Sequence, residues 1–446
     1  MTRSSRRART TLRLAAGLGS VVLLLAGCGG GGGGQAGGGS TQTSGVTITV
    51  ALAADPPPKA ALDDFTKQTG ITVNWVNVDW DSLQTKISAA ATAKTYFADA
   101  TNVDWSRVGQ LGKLGWFYPM GDYLDVEAMK ADMPQLASFT SDGKVVGIPY
   151  DASFMVTTYN KELLDAAGVT KEPTTMTEYT DALQKVKAKG DVEHPLNIPF
   201  AAAEGLSTYW YETTGAFGGT VLDETGKPQF TDPGSPGYRA AQWMVDAMKN
   251  GLVPPGNINV TDSQGQQTLM AKGEVASTFS DYSGTVGTLY NLPDQSSVKG
   301  QVRYLKTPGV TGPTANLSNP DGVGIPKEAK YPQAAAKFID WFTSESQQVD
   351  FAGVNGPEKA FTAFPIPSRL SAVEKMTASG NLVYGEELEE MLSGSKPVFP
   401  GGAPTWYPQF SNAVYTNLHA AATGSMSVDD AIKAMGDTAT KLSSGQ

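Results

Sequence analysis

From Val46 onward the apolar positions of this 446-residue chain switch between two periods. Ile48, Val50 and Leu52 alternate with their neighbours, as one buried face of a strand requires. The stretch from Lys59 to Thr69 instead spaces Leu62 and Phe65 for one side of a helix, and Gly70 supplies a C-terminal stop. Ile71, Val73 and Trp75 then mark a second strand, and Asp81 to Ala93 a second helix carrying Leu83, Ile87 and Ala90. Strand and helix in alternation predict an α/β fold with a largely parallel sheet.

The pattern continues along the chain. A short strand is expected near Ala100 to Val103, followed by a helix through Val108, Leu111 and Leu114. "GKVVGIPYDASFMVTTYNKELLDAAGV" predicts a hairpin-like strand pair around Pro149, a strand from Phe154 to Tyr159 and a short helix ended by Gly168. Thr175 and Glu178 have the spacing of a capping box for a helix with Tyr179, Leu183 and Val186 on one face. Later helices are marked by Ala335, Phe338, Ile339 and Phe342, and by Val428, Ile432 and Met435. Trp243, Trp341 and Phe342 lie on such periodic faces and read as core. No repeat and no coiled-coil seam is present.

The beginning of the chain follows other rules. Arg3, Arg6, Arg7, Arg9 and Arg13 precede an apolar stretch from Leu14 to Ala26, the layout of an export signal. At about 13 residues it is shorter than the roughly 20 a spanning helix needs. Leu25-Ala26-Gly27-Cys28 resembles a bacterial lipobox, which implies cleavage before Cys28 and lipidation of its thiol. Between Gly29 and Gly45, ten of seventeen residues are glycine, too few apolar groups to fold. As a coil such a segment spans roughly 20 to 25 Å. Residues 1–27 are therefore expected to be a signal peptide and 28–45 a lipid-anchored tether; Ser5-Arg6-Arg7 leaves Sec and twin-arginine export both open.

Composition narrows the chemistry. The length beyond the tether exceeds what one core serves, so two lobes are expected. With 34 basic and 44 acidic residues, and a leader whose charges are all basic, nucleic acid is an unsuitable partner. A single cysteine permits no intramolecular disulfide, and two histidines, His194 and His419, leave little for a metal centre or a Ser-His-Asp arrangement, so no cofactor, no metal and no catalytic residue is expected. By contrast 8 Trp, 16 Tyr and 16 Phe are present, several of them in turn-like segments.

Several strings, taken in order, resemble the bacterial extracellular solute-binding proteins that serve sugar ABC importers, the maltose-binding-protein-like family. They are the long string around Pro149, "LMAKGEVASTFSDYSG", "GVGIPKEAKYPQAAAKFIDWFTSESQQ" and "APTWYPQFSNAVYTNL". The chain departs from that family's pattern at Tyr96-Phe97-Ala98-Asp99 and at Asp281-Tyr282, which bears on the ligand more than on the fold. The resemblance implies a two-lobed, type II periplasmic-binding-protein-like α/β fold, each lobe a mostly parallel sheet flanked by helices and joined by a hinge. Residues 46–153 and 304–365 would form the first lobe, and 154–303 and 366–446 the second. It further implies a carbohydrate ligand, the transmembrane subunits of an ABC permease as partners, membrane contact through the lipid alone, and a monomer outside the cytoplasm.

Sugar recognition needs flat apolar faces together with groups that make directed hydrogen bonds to hydroxyls. In doubly wound sheets these sit beyond the carboxyl ends of strands. The first-lobe candidates on that rule are Asp55, Trp80, Asp104, Trp105, Tyr150 and Asp151, with Asp321 in the return loop. Asp81 reads as a helix cap, and Asp55 before three prolines equally as a turn former. The second-lobe candidates are Glu204, Trp210, Asp281, Tyr282, Trp406 and Tyr407, with Trp210 and Trp406 foremost. Two rivals stay open: the same fold binding a polyamine or another small solute, since aspartate beside tryptophan also suits a cation, and a secreted glycosidase with two carboxylates across a cleft.

Overall fold

The structure, a computed structural model, describes residues 40–261, 263–292, 294–351 and 366–445. The leader, Cys28, most of the glycine-rich segment and the end of the expected return segment lie outside the described residues. The last tether residues are tied down: Ser40 N–H donates to the Lys330 carbonyl and Gly45 N–H to that of Gly70.

Nine strands carry the two sheets: β1 (Val46–Leu52), β2 (Ile71–Asn77), β3 (Ala100–Asp104), β4 (Ile148–Pro149), β5 (Met155–Asn160), β6 (Leu196–Asn197), β7 (Ser277–Tyr282), β8 (Val302–Leu305) and β9 (Asp321–Gly324). The first sheet has the order β2-β1-β3-β9-β4 and the second β8-β5-β7-β6. Each has one reversed strand, β9 in the first and β5 in the second. The reason is topological. β5 and β9 are the strands on which the chain passes between lobes, so each enters its sheet at the carboxyl edge of its neighbours. Asp321 thus pairs with Asp104 at the end of β3, and Met155 with Tyr282 at the end of β7.

The flanking helices used below are α1 (Lys59–Thr69), α2 (Trp80–Ala93), α3 (Met176–Lys189), α4 (Glu204–Ala216), α5 (Pro236–Lys249), α6 (Pro332–Phe342), α7 (Leu370–Ala378), α8 (Tyr407–Ala422) and α9 (Val428–Ser443). Gly70 ends α1 at φ 73°, a left-handed position that glycine adopts without strain, with its N–H on the Thr66 carbonyl. The capping box of Thr175 and Glu178 opens α3. At α2 the cap falls on Asp79, whose carboxylate accepts from Ser82 N–H at 3.0 Å, and not on Asp81, because the helix starts one residue earlier than its apolar spacing indicates.

The hairpin expected around Pro149 is displaced. Thr140–Ser141 pairs with Lys144–Val145 across Asp142-Gly143, both at positive φ as a tight hairpin turn demands. Ile148 and Pro149 pair instead with Val323 and Gly322 of the returning strand.

The first lobe buries Ile48, Val50 and Phe65 against Phe338 and Phe342 of α6, and Leu83 and Ile87 on the opposite face of its sheet. The second buries Tyr179, Trp210, Phe230, Phe279 and Phe410. Phe342 has no exposure, while Trp243 and Trp341 are partly buried against these clusters. Among the described residues no helix is long and apolar enough to cross a membrane, and no cluster could hold a metal ion.

Three segments run side by side between the lobes. Asn319 N–H donates to the Ser153 carbonyl, Asn316 Nδ2 to that of Met155 at 2.7 Å, and Lys396 N–H to that of Asn316. The last segment belongs elsewhere than expected at its start. Ala152 N–H bonds the Ile366 carbonyl, and Arg369 pairs with Asp132 at 2.9 Å. Residues 366–378 are therefore held to the first lobe, and only the later helices α8 and α9 pack on the second. The ion pair that decides this joins positions 237 apart, beyond any local pattern.

Glu212 of α4 clamps this hinge. Its carboxyl accepts from Thr307 Oγ1 and from Leu317 N–H, both at 3.0 Å, and burial pushes its pKa up to about 8. The folded chain then holds this proton more tightly than the unfolded one, so the contribution is full below about 4.5 and is lost as pH rises to about 8. Glu212→Gln, which keeps one acceptor and one donor, is expected to remove up to about 1.4 kcal/mol per pH unit of that decline. Urea unfolding at a series of pH values reads the slope, and an unchanged slope would show that Glu212 is not its source.

Candidate functional site

The carboxyl edges of both sheets face one cavity of about 640 Å³. Strand register alone brings its acidic edge together. Asp104 ends β3, Asp321 opens β9 beside it, and Asp151 follows β4, the other neighbour of β9. Asp321 N–H donates to Asp151 Oδ1 at 2.9 Å, and Ser153 N–H to the same oxygen at 3.3 Å. Asn102 Nδ2 donates to Asp321 Oδ1 at 2.9 Å, and Gln84 Nε2 orients Asn102 through its Oδ1 at 2.7 Å. Asp104 accepts from Ser106 N–H at 2.6 Å and so caps the short turn that carries Trp105.

These carboxyls do not behave as surface groups. Burial raises the pKa of Asp104, against the hydrogen bond from Ser106 and the charge of Arg107. Burial likewise raises Asp151 and Asp321, and for Asp321 the negative charges of Asp151 and Asp104 add to it. Hydrogen bonds from Asn102 and from the Trp80 side chain oppose the rise at Asp321.

The second lobe contributes the N-terminal turn of α4. Glu204 opens that helix and accepts from Tyr407 Oη, and from Ser411 Oγ at 2.7 Å. Burial raises its pKa, the two hydrogen bonds oppose this, and the charge of Asp104 from the other lobe raises it further. Tyr282 and Ser283 enter from the end of β7, and Thr285 and Thr288 from the turn beyond.

Of the residues singled out from the sequence, Trp80, Asp104, Trp105, Asp151, Glu204, Tyr282 and Asp321 line this cavity. The others do not, for identifiable reasons. Trp210 has no exposed surface; its ring meets Phe230 at 4.9 Å and its Nε1–H donates to the Gly237 carbonyl at 2.8 Å. Asp281 is fully buried in the second sheet, accepting from Thr158 and Tyr290, and burial pushes its pKa up to about 6. Tyr150 is buried against Phe342. Asp55 is exposed and accepts from Asn77 Nδ2 at 2.9 Å. Trp406 packs edge-on against Phe410, and Tyr407 stands behind the wall, holding Glu204 and touching the Trp105 ring at 5.8 Å.

The cavity also recruits residues that no sequence criterion selected, notably Asp79, Ser153, Gln267, Thr288 and Asn319. A weak signal existed for part of them: the polar run Ser283 to Thr288 directly follows an apolar strand, and Asn319 belongs to the same return loop as Asp321. Gln267 had none, because it lies on a helix whose position is set by packing.

The arrangement offers indole and phenol faces from Trp80, Trp105 and Tyr282, carboxyl acceptors from both lobes, and hydroxyl and amide groups between them. No histidine or cysteine lines it.

The profile of the family described as bacterial extracellular solute-binding protein matches residues 49–349. A binding protein of Brucella abortus (strain 2308) is 26% identical over 308 residues, 65% of this chain and 70% of its own length. Among solved structures, maltose-bound MalE3 of T. maritima superposes with a TM-score of 0.75 at 23% identity, covering 89% of this chain and 100% of that one. A solute-binding protein of an ABC transporter from Agrobacterium radiobacter K84, in complex with ribitol, gives a TM-score of 0.75 at 22% identity, covering 90% and 99%.

Proposed function

This chain belongs to the bacterial extracellular solute-binding protein family, and from that premise we propose that it captures a carbohydrate or polyol between its two lobes and passes it, unaltered, to the transmembrane subunits of an ABC importer. The observation that carries the reading is the cavity where the carboxyl edges of both sheets meet, with aromatic faces and hydrogen-bonding groups supplied from each lobe. A sugar ring presents C–H faces to indole and hydroxyls to carboxylates, so both kinds of wall are used at once. Ligand contacts that exist only when the lobes are together shift the equilibrium toward closure. The printed descriptions of the similar structures, bound to maltose and ribitol, support this class of solute. In the same proposal the chain is exported, cut before Cys28, and held outside the membrane by a lipid on that thiol.

Calorimetry of the purified protein against mono-, di- and oligosaccharides, with polyols and spermidine beside them, tests the reading. Saturable binding of a sugar or polyol recovered intact is the expected result. A hydrolysed sugar would point to the glycosidase rival, and binding of spermidine alone to a different solute class. Trp80→Ala, which removes a half-exposed aromatic face at the first turn of α2, is expected to weaken binding by about thirtyfold, the equivalent of about 2 kcal/mol. Its thermal midpoint should stay close to that of the parent, because little buried contact is lost.

A further inference from the structure

The charge of the cavity wall is one-sided. Among the described residues, Asp79, Asp104, Asp151, Glu204 and Asp321 line it, and no lysine, arginine or histidine does. An ionised carboxylate only accepts hydrogen bonds, so such a wall is half of what a neutral polyol uses, since each hydroxyl both donates and accepts. Two of these groups carry an unused acceptor. Asp104 is 3% exposed and Asp151 8% exposed. Each spends its Oδ1 on backbone N–H donors, while Oδ2 has no partner among the described residues. Buried carboxylates left in that state are costly unless a donor or a cation meets them. Arg107 acts on Asp104 and Glu204. At Asp151 the groups opposing the burial cost are the backbone N–H groups of Asp321 and Ser153, without any cation.

We propose that the solute is a carbohydrate bearing a protonated amine, an amino sugar, whose ammonium group is met by the carboxylate edge of Asp104, Asp151 and Asp321. The proposal rests on the solute-binding reading of the same cavity. An ammonium brings three donors and a positive charge to groups that lack both. Trp80, Trp105 and Tyr282 serve it twice, as faces for the cation and for the C–H side of the ring. A linear polyamine would satisfy the charge equally. It would also lay methylene groups against Ser153, Thr208, Thr285 and Asn319, which a sugar's hydroxyls satisfy.

The deciding experiment is a matched pair. Calorimetry at neutral pH compares the glucosamine disaccharide of chitosan with its N,N′-diacetyl counterpart, which has the same rings and linkage without the charge, and includes glucosamine, N-acetylglucosamine and spermidine. The free amine is expected to bind at least about tenfold more tightly than its acetylated partner. Asp104→Asn and Asp151→Asn, which keep Oδ1 for the backbone donors, are expected to bring that ratio to within about threefold. The parent protein's ratio needs no variant, so a misfolded mutant leaves the test intact. If acetylated or neutral sugars bind as well as the amines, the charge inference falls and the carbohydrate reading stands. If spermidine binds and no sugar does, the carbohydrate reading itself falls, and the amino sugar with it; if none of the panel binds, both fall.

Discussion

Trp210→Ala should cost about 3–5 kcal/mol of folding stability and, in the molecules that remain folded, leave solute affinity nearly unchanged. Trp210 is the largest side chain of the second lobe's core and has no exposure. Its ring is gripped by Phe230 at 4.9 Å and Tyr211 at 5.7 Å, and its indole N–H is satisfied by the Gly237 carbonyl at 2.8 Å. Truncation removes the transfer energy of an indole, leaves a cavity that Gly237 and the helix backbones cannot close, and strands a buried carbonyl. The midpoint of urea unfolding measures the loss, and calorimetry on the folded fraction measures affinity. A variant of parental stability that no longer bound solute would mean that Trp210 reaches ligand in another arrangement of the lobe.

Asp99→Ala is expected to destabilise by a similar amount, about 3–5 kcal/mol, through polar groups instead of packing. Asp99 is 1% exposed and its carboxylate accepts four hydrogen bonds. Oδ1 takes the N–H groups of Lys330 and Tyr331, at 2.8 and 3.0 Å, where the chain enters α6; Oδ2 takes Thr49 N–H of β1 at 2.9 Å and Tyr96 Oη at 3.0 Å. One side chain thus joins the approach to β3 with β1 and with a segment more than 230 residues later. Alanine leaves three backbone N–H groups without this acceptor, each costing about 1–3 kcal/mol if water cannot reach it. Asp99→Asn, which retains one acceptor oxygen, should lose less. Chemical denaturation of both variants checks the order, and equal stability of Asp99→Ala and the parent would remove this residue from the account.

Local structure was largely readable in advance. The 3.6-residue spacing of Leu62 and Phe65, with Gly70 beyond, bounds α1, and Thr175 with Glu178 opens α3 as its spacing requires. The lining residues Trp80, Asp104, Trp105 and Asp151 were also within reach, because they follow strand ends and doubly wound sheets put their open edge there. Trp210 misleads for a related reason. Its neighbours Tyr209 and Tyr211 are equally buried, so α4 is covered on several faces and shows no amphipathic period to mark its tryptophan as core. Asp281 misleads because an aspartate at a strand end looks exposed until the hydroxyls of Thr158 and Tyr290 are known to meet it.

What the amino-acid sequence determined by itself is therefore the succession of strands and helices, their caps and stops, the two-lobe scale of the chain and the loops able to reach a cleft. These depend on interactions within a few residues, where period and residue type carry the physics. Only the tertiary structure decided that Ile148 pairs with Val323 and not with a hairpin partner, that residues 366–378 stay with the first lobe through Arg369 and Asp132, and that Asp104, Asp151 and Asp321 share one wall. Those outcomes are set by contacts between segments up to some two hundred residues apart. Their free energies appear only once the sheets have closed, and no local pattern records them.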